Sequence, residues 1–162
     1  MTPTDIRFAA DGMLQSLATW LRALGYDCLA GRERFGRRLL EQAVAEGRVF
    51  LTRNTHLAHD WPRALLERAR IVRVAGERLP QQLREVVENF ALDGERFLFT
   101  RCLECNEPLR AVGKAEAWPR LPPRVAAREE KFWRCERCGR CFWRGSHVRN
   151  SVERLRQWLA TG

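Results

Sequence analysis

The chain has 162 residues, of which 45% are hydrophobic, and its formal net charge is +9. This hydrophobic share is enough for a packed core, so disorder throughout is excluded, and the basic balance favours a polyanionic partner, nucleic acid first. No run approaches the roughly 20 apolar residues of a membrane span, and the N-terminus lacks the apolar stretch of a signal peptide, so we expect a cytoplasmic protein without membrane contact.

Short apolar runs alternate with amphipathic segments from residue 6 to residue 93. The run IRFAA predicts a strand, and the segment after it has the apolar spacing of a helix that ends near Gly25. DCLAG and RVFLT predict the second and third strands, and the helix RRLLEQAVAEG between them ends at Gly47. HLAHDWPRALLERA predicts a third helix, whose start is limited by Pro62. RIVRVAG predicts a fourth strand and LPQQLREVVENFAL a fourth helix.

This alternation predicts an α/β fold, in which a mostly parallel sheet is covered by helices on both faces. The carboxyl ends of the first and third strands should then lie along one edge of the sheet, where α/β proteins commonly place their sites. Asp11 and Asn54 follow these two strands. Asp11 has a simpler interpretation as well, because an aspartate before a helix is an ordinary N-cap.

The composition changes at residues 93 to 96, where cysteines and prolines begin to cluster. We therefore divide the chain into residues 1–95, an α/β domain, and residues 96–162, a smaller unit without helical periodicity until its last segment. That segment, SVERLRQWLA, predicts a C-terminal helix whose apolar face includes Trp158. An exposed face of this kind would suit a protein partner.

Two CxxC pairs dominate the smaller unit. Cys102 and Cys105 form the first, Cys135 and Cys138 the second, and 29 residues lie between the pairs. Four thiolates at this spacing predict a structural Zn²⁺ in a zinc ribbon, since cysteines of a cytoplasmic protein are rarely in disulfides. Cys141 is a surplus cysteine that we interpret as a free thiol on a ribbon strand, with an iron–sulfur cluster as the weaker alternative. A second lone cysteine, Cys28, is predicted to pack in the core.

Aromatic residues and arginines are interleaved around the second CxxC pair. Stacking on rings combined with contacts to phosphates suits single-stranded nucleic acid. The alternative is that the same aromatics build the core of the ribbon. The residues that we predict to contact nucleic acid here are Arg134, Trp143, Arg144 and His147.

Both halves of the chain resemble one known family. The N-terminal blocks FAADGMLQSLATWLRALGYD and GRVFLTRNTHL are similar to the Mut-seven C-terminal RNase domain, which has a PIN-like nuclease fold. The C-terminal blocks FTRCLECNEPL, LPPRV and FWRCERCGRCFWRGSH are similar to the zinc ribbon that follows it in prokaryotic members. The resemblance covers residues 7–148 and implies a ribonuclease that depends on Mg²⁺ or Mn²⁺.

The resemblance also implies an acidic metal site, from which this sequence departs. Asp11 and Asp27 stand at two acidic positions of the family pattern, whereas Gly36 and Asn54 stand where acids are common. Fewer carboxylates should weaken binding of a hard cation. Asp60 is the best substitute ligand in the sequence, so we predict catalytic roles for Asp11, Asp27, Asn54 and Asp60. Other nearby candidates for compensation are Glu33, His56 and His59.

Arginines near the predicted site would oppose a cation and favour phosphate. Besides the ribbon residues, we predict nucleic-acid contacts for Arg22, Arg37, Arg38 and Arg53. Three functions therefore stay open: a ribonuclease acting on single-stranded or structured RNA with weak or lost activity, a non-catalytic RNA-binding protein derived from a PIN-like nuclease, and an adaptor that binds a protein through its C-terminal helix.

Overall fold

A computed structural model of the chain describes residues 6–31 and 36–160. Four parallel strands form one sheet in the order β2-β1-β3-β4, and three antiparallel strands form a second sheet in the order β5-β6-β7. The strands are β1 (Phe8–Ala10), β2 (Cys28–Ala30), β3 (Val49–Thr52), β4 (Arg70–Arg73), β5 (Leu109–Val112), β6 (Phe132–Cys135) and β7 (Cys141–Phe142).

Helices connect and cover the strands. Within the described residues, no helix has both the length and the apolar character needed to cross a membrane. Single 3-10 turns occupy Gly12–Leu14 and Trp118–Arg120. The α-helices are α1 (Gln15–Ala23), α2 (Arg37–Ala45), α3 (Leu57–Asp60), α4 (Arg63–Arg68), α5 (Leu79–Asn89), α6 (Lys114–Ala117), α7 (Pro123–Arg128) and α8 (Ser146–Ala160).

The α/β prediction is confirmed, and helices lie on both faces of the parallel sheet. Because side chains alternate along a strand, Phe8 and Ala10 point to one face and Ala9 points to the other. The first face packs against α1, α5 and α8 through residues such as Leu17, and the second packs against α2 through residues such as Leu39. The central strands β1 and β3 are fully buried, as parallel strands covered on both faces must be.

Two helical predictions need correction. The third predicted helix is divided into α3 and α4, because Trp61, which precedes Pro62, is extended with φ of −130° and ψ of 151°. The region after β5 was expected to lack helices, yet it holds α6 and α7. These helices have four and six residues, so they are too short to show a period in the sequence.

Helix α8 packs against the core of the parallel sheet. Leu155 is only 1% exposed, and the rings of Trp20 and Trp158 make an edge-to-face contact with centroids 4.9 Å apart. The Arg84 guanidinium on α5 donates two hydrogen bonds to the carbonyl of Trp158, at 2.9 and 3.1 Å. The apolar face that we assigned to a protein partner is thus covered by the chain itself, while the boundary near residue 95 stays a prediction.

The segment that enters the ribbon is tied to the end of α1. The Phe99 amide donates to the Ala23 carbonyl at 2.7 Å, and the Arg101 guanidinium donates to the Gly25 carbonyl at 3.4 Å. Gly25 has a φ of 93°, and a Cβ at this position would overlap the carbonyl oxygen of Phe97. A residue at this position must adopt a positive φ and must lack a Cβ, and only glycine does both. Gly25 therefore ends the helix and also makes room for the ribbon segment.

Candidate active site and zinc centre

The strand order creates a crevice at one edge of the parallel sheet. The chain leaves β1 toward β2 on one side and later places β3 on the other side, so β1 and β3 flank a topological switch point. Open α/β sheets bind ligands at such a point, outside the carboxyl ends of the strands. Asp11 follows β1 here, and its amide donates to the Leu51 carbonyl of β3 at 3.0 Å. We call this the C-terminal edge.

Asp11 is held rigidly at the C-terminal edge. Its side chain is nearly buried, with Oδ1 accepting a hydrogen bond from the Met13 amide at 2.8 Å and Oδ2 accepting one from the Thr52 hydroxyl. The N-cap role and the site position therefore coexist in one residue. Each carboxylate oxygen has further lone pairs, so these two hydrogen bonds orient the group without saturating it.

Asn54 connects the end of β3 to Asp60. Its amide N–H donates to the Thr52 hydroxyl oxygen at 3.0 Å, and its side-chain Nδ2 donates to Asp60 Oδ2 at 3.0 Å. The side-chain oxygen accepts a hydrogen bond from the His56 amide at 2.8 Å. An aspartate at position 54 could not donate to Asp60 and would place a second negative charge beside it.

Asp11, Asn54 and Asp60 thus form one hydrogen-bonded series through Thr52, which we call the edge cluster. Thr52 is completely buried and was missed by the sequence analysis, although its position at the polar end of an apolar run was a usable signal. Asp11 and Asn54 of the edge cluster border an open cleft, the edge cleft, of about 480 Å³. Met13, Arg53, His56 and Trp61 also line this cleft.

Asp27 lies at the opposite ends of the strands from the C-terminal edge, beside the amino end of β2. It precedes β2, and its carbonyl accepts a hydrogen bond from the Phe8 amide at the start of β1. Asp11 comes after β1 and is displaced by about four residues, or ~13 Å, along the strand direction. The assignment of Asp27 to a shared metal site with Asp11 is therefore corrected, because the two carboxylates flank opposite ends of the same strands.

Asp27 instead forms a buried ionic network. The Arg48 guanidinium, 6% exposed, donates to both of its oxygens at 2.5 and 3.2 Å, and the Asn106 side chain donates to Oδ1 at 2.7 Å. Burial alone would raise the pKa of Asp27, but the hydrogen bonds from Arg48 and Asn106 outweigh it and hold the pKa below its usual value. Asn106 also accepts a hydrogen bond from the Cys28 amide at 2.9 Å.

The predicted RNA-contacting arginines fall into two groups. Arg37 and Arg38 are exposed at the start of α2, where Arg37 pairs with Glu41 at 2.8 Å, and Arg53 reaches the Glu77 carbonyl at 3.5 Å beside the edge cleft. These three remain accessible to a phosphate.

Glu33, a candidate compensating acid, lies outside the residues that the structure describes.

Arg22 has a structural role, while its predicted RNA contact stays a prediction. It is 8% exposed and donates to the Cys28 carbonyl at 2.8 Å. Its Nη1 donates to the carbonyls of Leu103 and Glu104 at 2.7 and 3.2 Å. Leu103 and Glu104 lie inside the first CxxC pair, which we call the zinc knuckle, so Arg22 fixes this knuckle to the parallel sheet.

The four predicted cysteine ligands converge. The sulfurs of Cys102, Cys105, Cys135 and Cys138 lie within 4.8 Å of one another, and the Cys102 and Cys138 sulfurs are 4.0 Å apart. Zn–S bonds of about 2.3 Å in a tetrahedron require sulfurs about 3.8 Å apart, so the arrangement fits Zn²⁺ closely. The Cys105 amide also donates to Cys102 Sγ at 3.5 Å.

Tight turns give both CxxC pairs their geometry. Asn106 and Gly139 follow the second cysteine of each pair, with positive φ angles of 64° and 70°. Burial and the neighbouring Cys138 thiol raise the pKa of the Cys105 thiol to about 12. The site can hold a structural metal but leaves no open position for chemistry.

The two remaining cysteines behave as predicted. Cys28 is fully buried in β2, and burial raises the pKa of its thiol to about 12, which makes it an inert core residue. Cys141 lies on β7 outside the four-sulfur cluster and lines a pocket of the ribbon.

The ribbon residues that we predict to contact nucleic acid lie in two places. Trp143, Arg144 and His147 line the same pocket as Cys141, whereas Arg134 pairs with Glu116 at 3.1 Å.

Comparison with known proteins agrees with this geometry. A family model described as the Mut7-C RNAse domain matches residues 6–155, which include the parallel sheet, the ribbon and most of α8. No curated protein and no solved structure matches the chain significantly. Because the match spans nearly the whole chain, the protein belongs to the Mut7-C RNAse domain family.

Proposed function

We propose that the chain is a metal-dependent ribonuclease with a reduced acidic site, in which Asp11 and Asp60 hold one Mg²⁺ or Mn²⁺ at the C-terminal edge. The observation that carries the proposal is the buried, doubly hydrogen-bonded Asp11 at the topological switch point. Membership of an RNase domain family supports the same reaction class. The edge cleft beside Asp11 is open to solvent.

The donor atoms of the edge cluster suit a hard cation. Asp11 and Asp60 contribute carboxylate oxygens, and Mg²⁺ commonly binds through one or two carboxylates while waters and substrate phosphates complete its shell. When bound, such a cation lowers the pKa of a water and offsets charge that develops on the phosphate. The chain's own part is to orient Asp11 through Thr52 and Met13, and to attract the RNA backbone through Arg53.

A second candidate function is RNA binding without turnover. It is favoured by Asn54, whose neutral amide donates to Asp60 where a carboxylate would strengthen a cation site. The exposed Arg37 and Arg38 would still bind phosphates, and their affinity would fall as salt rises. The two candidates share a substrate and differ only in whether the edge cluster retains a cation.

Three variants separate the candidates. Purified zinc-loaded protein is incubated with Mn²⁺ and labelled single-stranded RNA, and cleavage is compared for wild type, Asp11→Asn and Asn54→Asp. Glu88→Gln is the matched control, because it removes an exposed acid from α5, outside the edge cleft. We expect cleavage by wild type, its loss in Asp11→Asn and no change in Glu88→Gln.

Asn54→Asp tests whether the missing carboxylate at position 54 weakens cation binding. At about 4 Å and an effective dielectric constant of 20, one further negative charge attracts a divalent cation by ~8 kcal/mol before screening by salt, so we expect Mn²⁺ to bind at least about tenfold more tightly. Titration calorimetry measures this affinity. Cleavage that persists in Asp11→Asn would remove Asp11 from the reaction, and binding without cleavage by wild type would establish the second candidate.

A further inference from the structure

The zinc ribbon contains a pocket that neither the zinc centre nor the edge cluster uses. It lies between β6, β7, the first turns of α8 and the segment that leads to the first CxxC pair. Its volume is about 270 Å³, just below the roughly 300–1,000 Å³ of sites for drug-sized ligands. We call it the ribbon pocket. Its size suits one planar ring system better than a folded element.

Aromatic rings and positive charges line the ribbon pocket. Trp133 and Phe142 are paired on neighbouring strands, so their side chains share a face of the sheet, and Trp143 contributes another ring. The Arg144 guanidinium lies 5.6 Å from the centre of the Trp133 ring, and Arg101 also borders the pocket. Among the described residues that line it, none carries a carboxylate. The pocket therefore attracts a flat ligand that bears negative charge.

A polar groove shares one lining residue with the edge cleft and one with the ribbon pocket. Gly12 borders both the edge cleft and this groove, and Leu103 borders both the groove and the ribbon pocket. Between these two points the groove follows α1, where Gln15, Ser16 and Thr19 line it. A helix rises about 1.5 Å per residue, so the groove extends for ~15 Å from Gly12 to the level of Arg22. The edge cleft, the groove and the ribbon pocket are therefore neighbours that share lining residues, and Arg22 and Glu104 also line the groove.

We propose that the ribbon pocket binds one unpaired nucleobase of a single-stranded RNA whose backbone follows α1 toward Asp11. This assignment rests on the proposed function, because it concerns the same substrate. A base stacks on the tryptophan rings, and the phosphates beside it face Arg144 and Arg101. An apolar side chain of a protein partner would use the rings but not the arginines or the groove that neighbours the edge cleft.

Substitutions of tryptophan test the pocket by RNA affinity. Zinc-loaded wild type, Trp143→Ala and Trp143→Phe are titrated with a short fluorescein-labelled oligouridylate without added Mg²⁺ or Mn²⁺, and anisotropy is measured. Base–aromatic stacking predicts at least about fivefold weaker binding by Trp143→Ala and near-normal binding by Trp143→Phe. Trp118→Ala is the matched control, since Trp118 is 57% exposed on the ribbon and does not line the pocket.

Three further measurements distinguish the pocket from simple loss of folding. Each variant must retain one zinc per chain, which shows that the ribbon is intact. An oligouridylate series with one abasic nucleotide at successive positions is then titrated against wild type and Trp143→Ala. We expect one abasic position to weaken binding by wild type but not by Trp143→Ala. Arg144→Gln should reduce the slope of log affinity against log salt by about 0.7, the value for one phosphate of a single strand.

The outcomes separate this proposal from the proposed function. Equal RNA affinity of wild type and a zinc-loaded Trp143→Ala would overturn the nucleobase assignment, while Mn²⁺-dependent cleavage by wild type would leave the ribonuclease proposal standing. Weakening by Trp118→Ala as large as that by Trp143→Ala would also overturn it, because the effect would not belong to the pocket. A wild type that does not bind RNA at all would overturn both proposals.

Discussion

Replacing Asn106 by alanine should destabilise the whole protein, although the residue belongs to the zinc knuckle. Its side-chain oxygen accepts a hydrogen bond from the Cys28 amide on the outer strand of the parallel sheet, and its side-chain nitrogen donates to Asp27. Asn106 is 9% exposed and has a φ of 64°. Asn106→Ala removes both hydrogen bonds and leaves the left-handed backbone in place.

The cost of Asn106→Ala can be estimated from the two lost hydrogen bonds and from the strain of alanine in a left-handed conformation. A buried amide without an acceptor costs about 1–3 kcal/mol, and a hydrogen bond to an ionised group contributes about 1.5–3 kcal/mol. A left-handed conformation costs alanine about 1–2 kcal/mol, part of which asparagine also bears. We expect a loss of ~4 kcal/mol, or a fall in Tm of roughly 8–16 °C for a chain of this size.

Urea denaturation of the zinc-loaded protein measures this loss, with circular dichroism and tryptophan fluorescence compared to confirm a single transition. Asn106→Gly is the matched control, because it removes the same hydrogen bonds without the backbone strain. It should be more stable than Asn106→Ala by ~1 kcal/mol. A destabilisation by Asn106→Ala below about 1 kcal/mol would refute the reasoning, because it would show that the contacts between knuckle and sheet contribute little.

Two further predictions concern the contacts between the first CxxC pair and the parallel sheet. Removal of zinc by a chelator should lower the Tm of the whole chain in one transition, because Arg22 and Asn106 attach the knuckle to the parallel sheet; a sheet that melts at its original temperature would contradict this. Asp27 has a lowered pKa, so its contribution to stability is complete above its unfolded value near 3.9 and is lost as the pH falls through the lower folded value. The difference in unfolding free energy between wild type and Asp27→Asn should therefore shrink below about pH 4, and a difference that stays constant down to pH 3 would argue against this network.

The sequence predicts the parallel sheet well because its signals are local. Four short apolar runs between amphipathic segments specify strands, and the rule for parallel sheets places Asp11 and Asn54 at one edge. The zinc ligands are equally easy to predict from the sequence, because a CxxC turn determines the placement of two sulfurs by itself. What these patterns could not show is the series of hydrogen bonds through Thr52 that connects the edge cluster.

The features that the sequence did not predict concern residues whose partners are distant in the chain. Asp27 was assigned by resemblance to the metal site, although it precedes its strand, and the rule for parallel sheets already assigns such a residue to the opposite edge. Arg22 was assigned to RNA because arginines near the predicted site would favour phosphate; its carbonyl partners in Leu103 and Glu104, about 80 residues away, were not apparent from the sequence. No local pattern indicates a partner at that separation.

Helix α8 has a consequence for synthesis on the ribosome. Strands β1 to β4 and α5 are complete at Asn89, yet Leu155 and Trp158 supply one wall of their core about 66 residues later. At ~5–20 residues per second, the nascent chain waits about 3–13 seconds with Trp20 uncovered on that side. This delay exposes an incomplete core to chaperones and to aggregation, and it ends only when the last helix emerges.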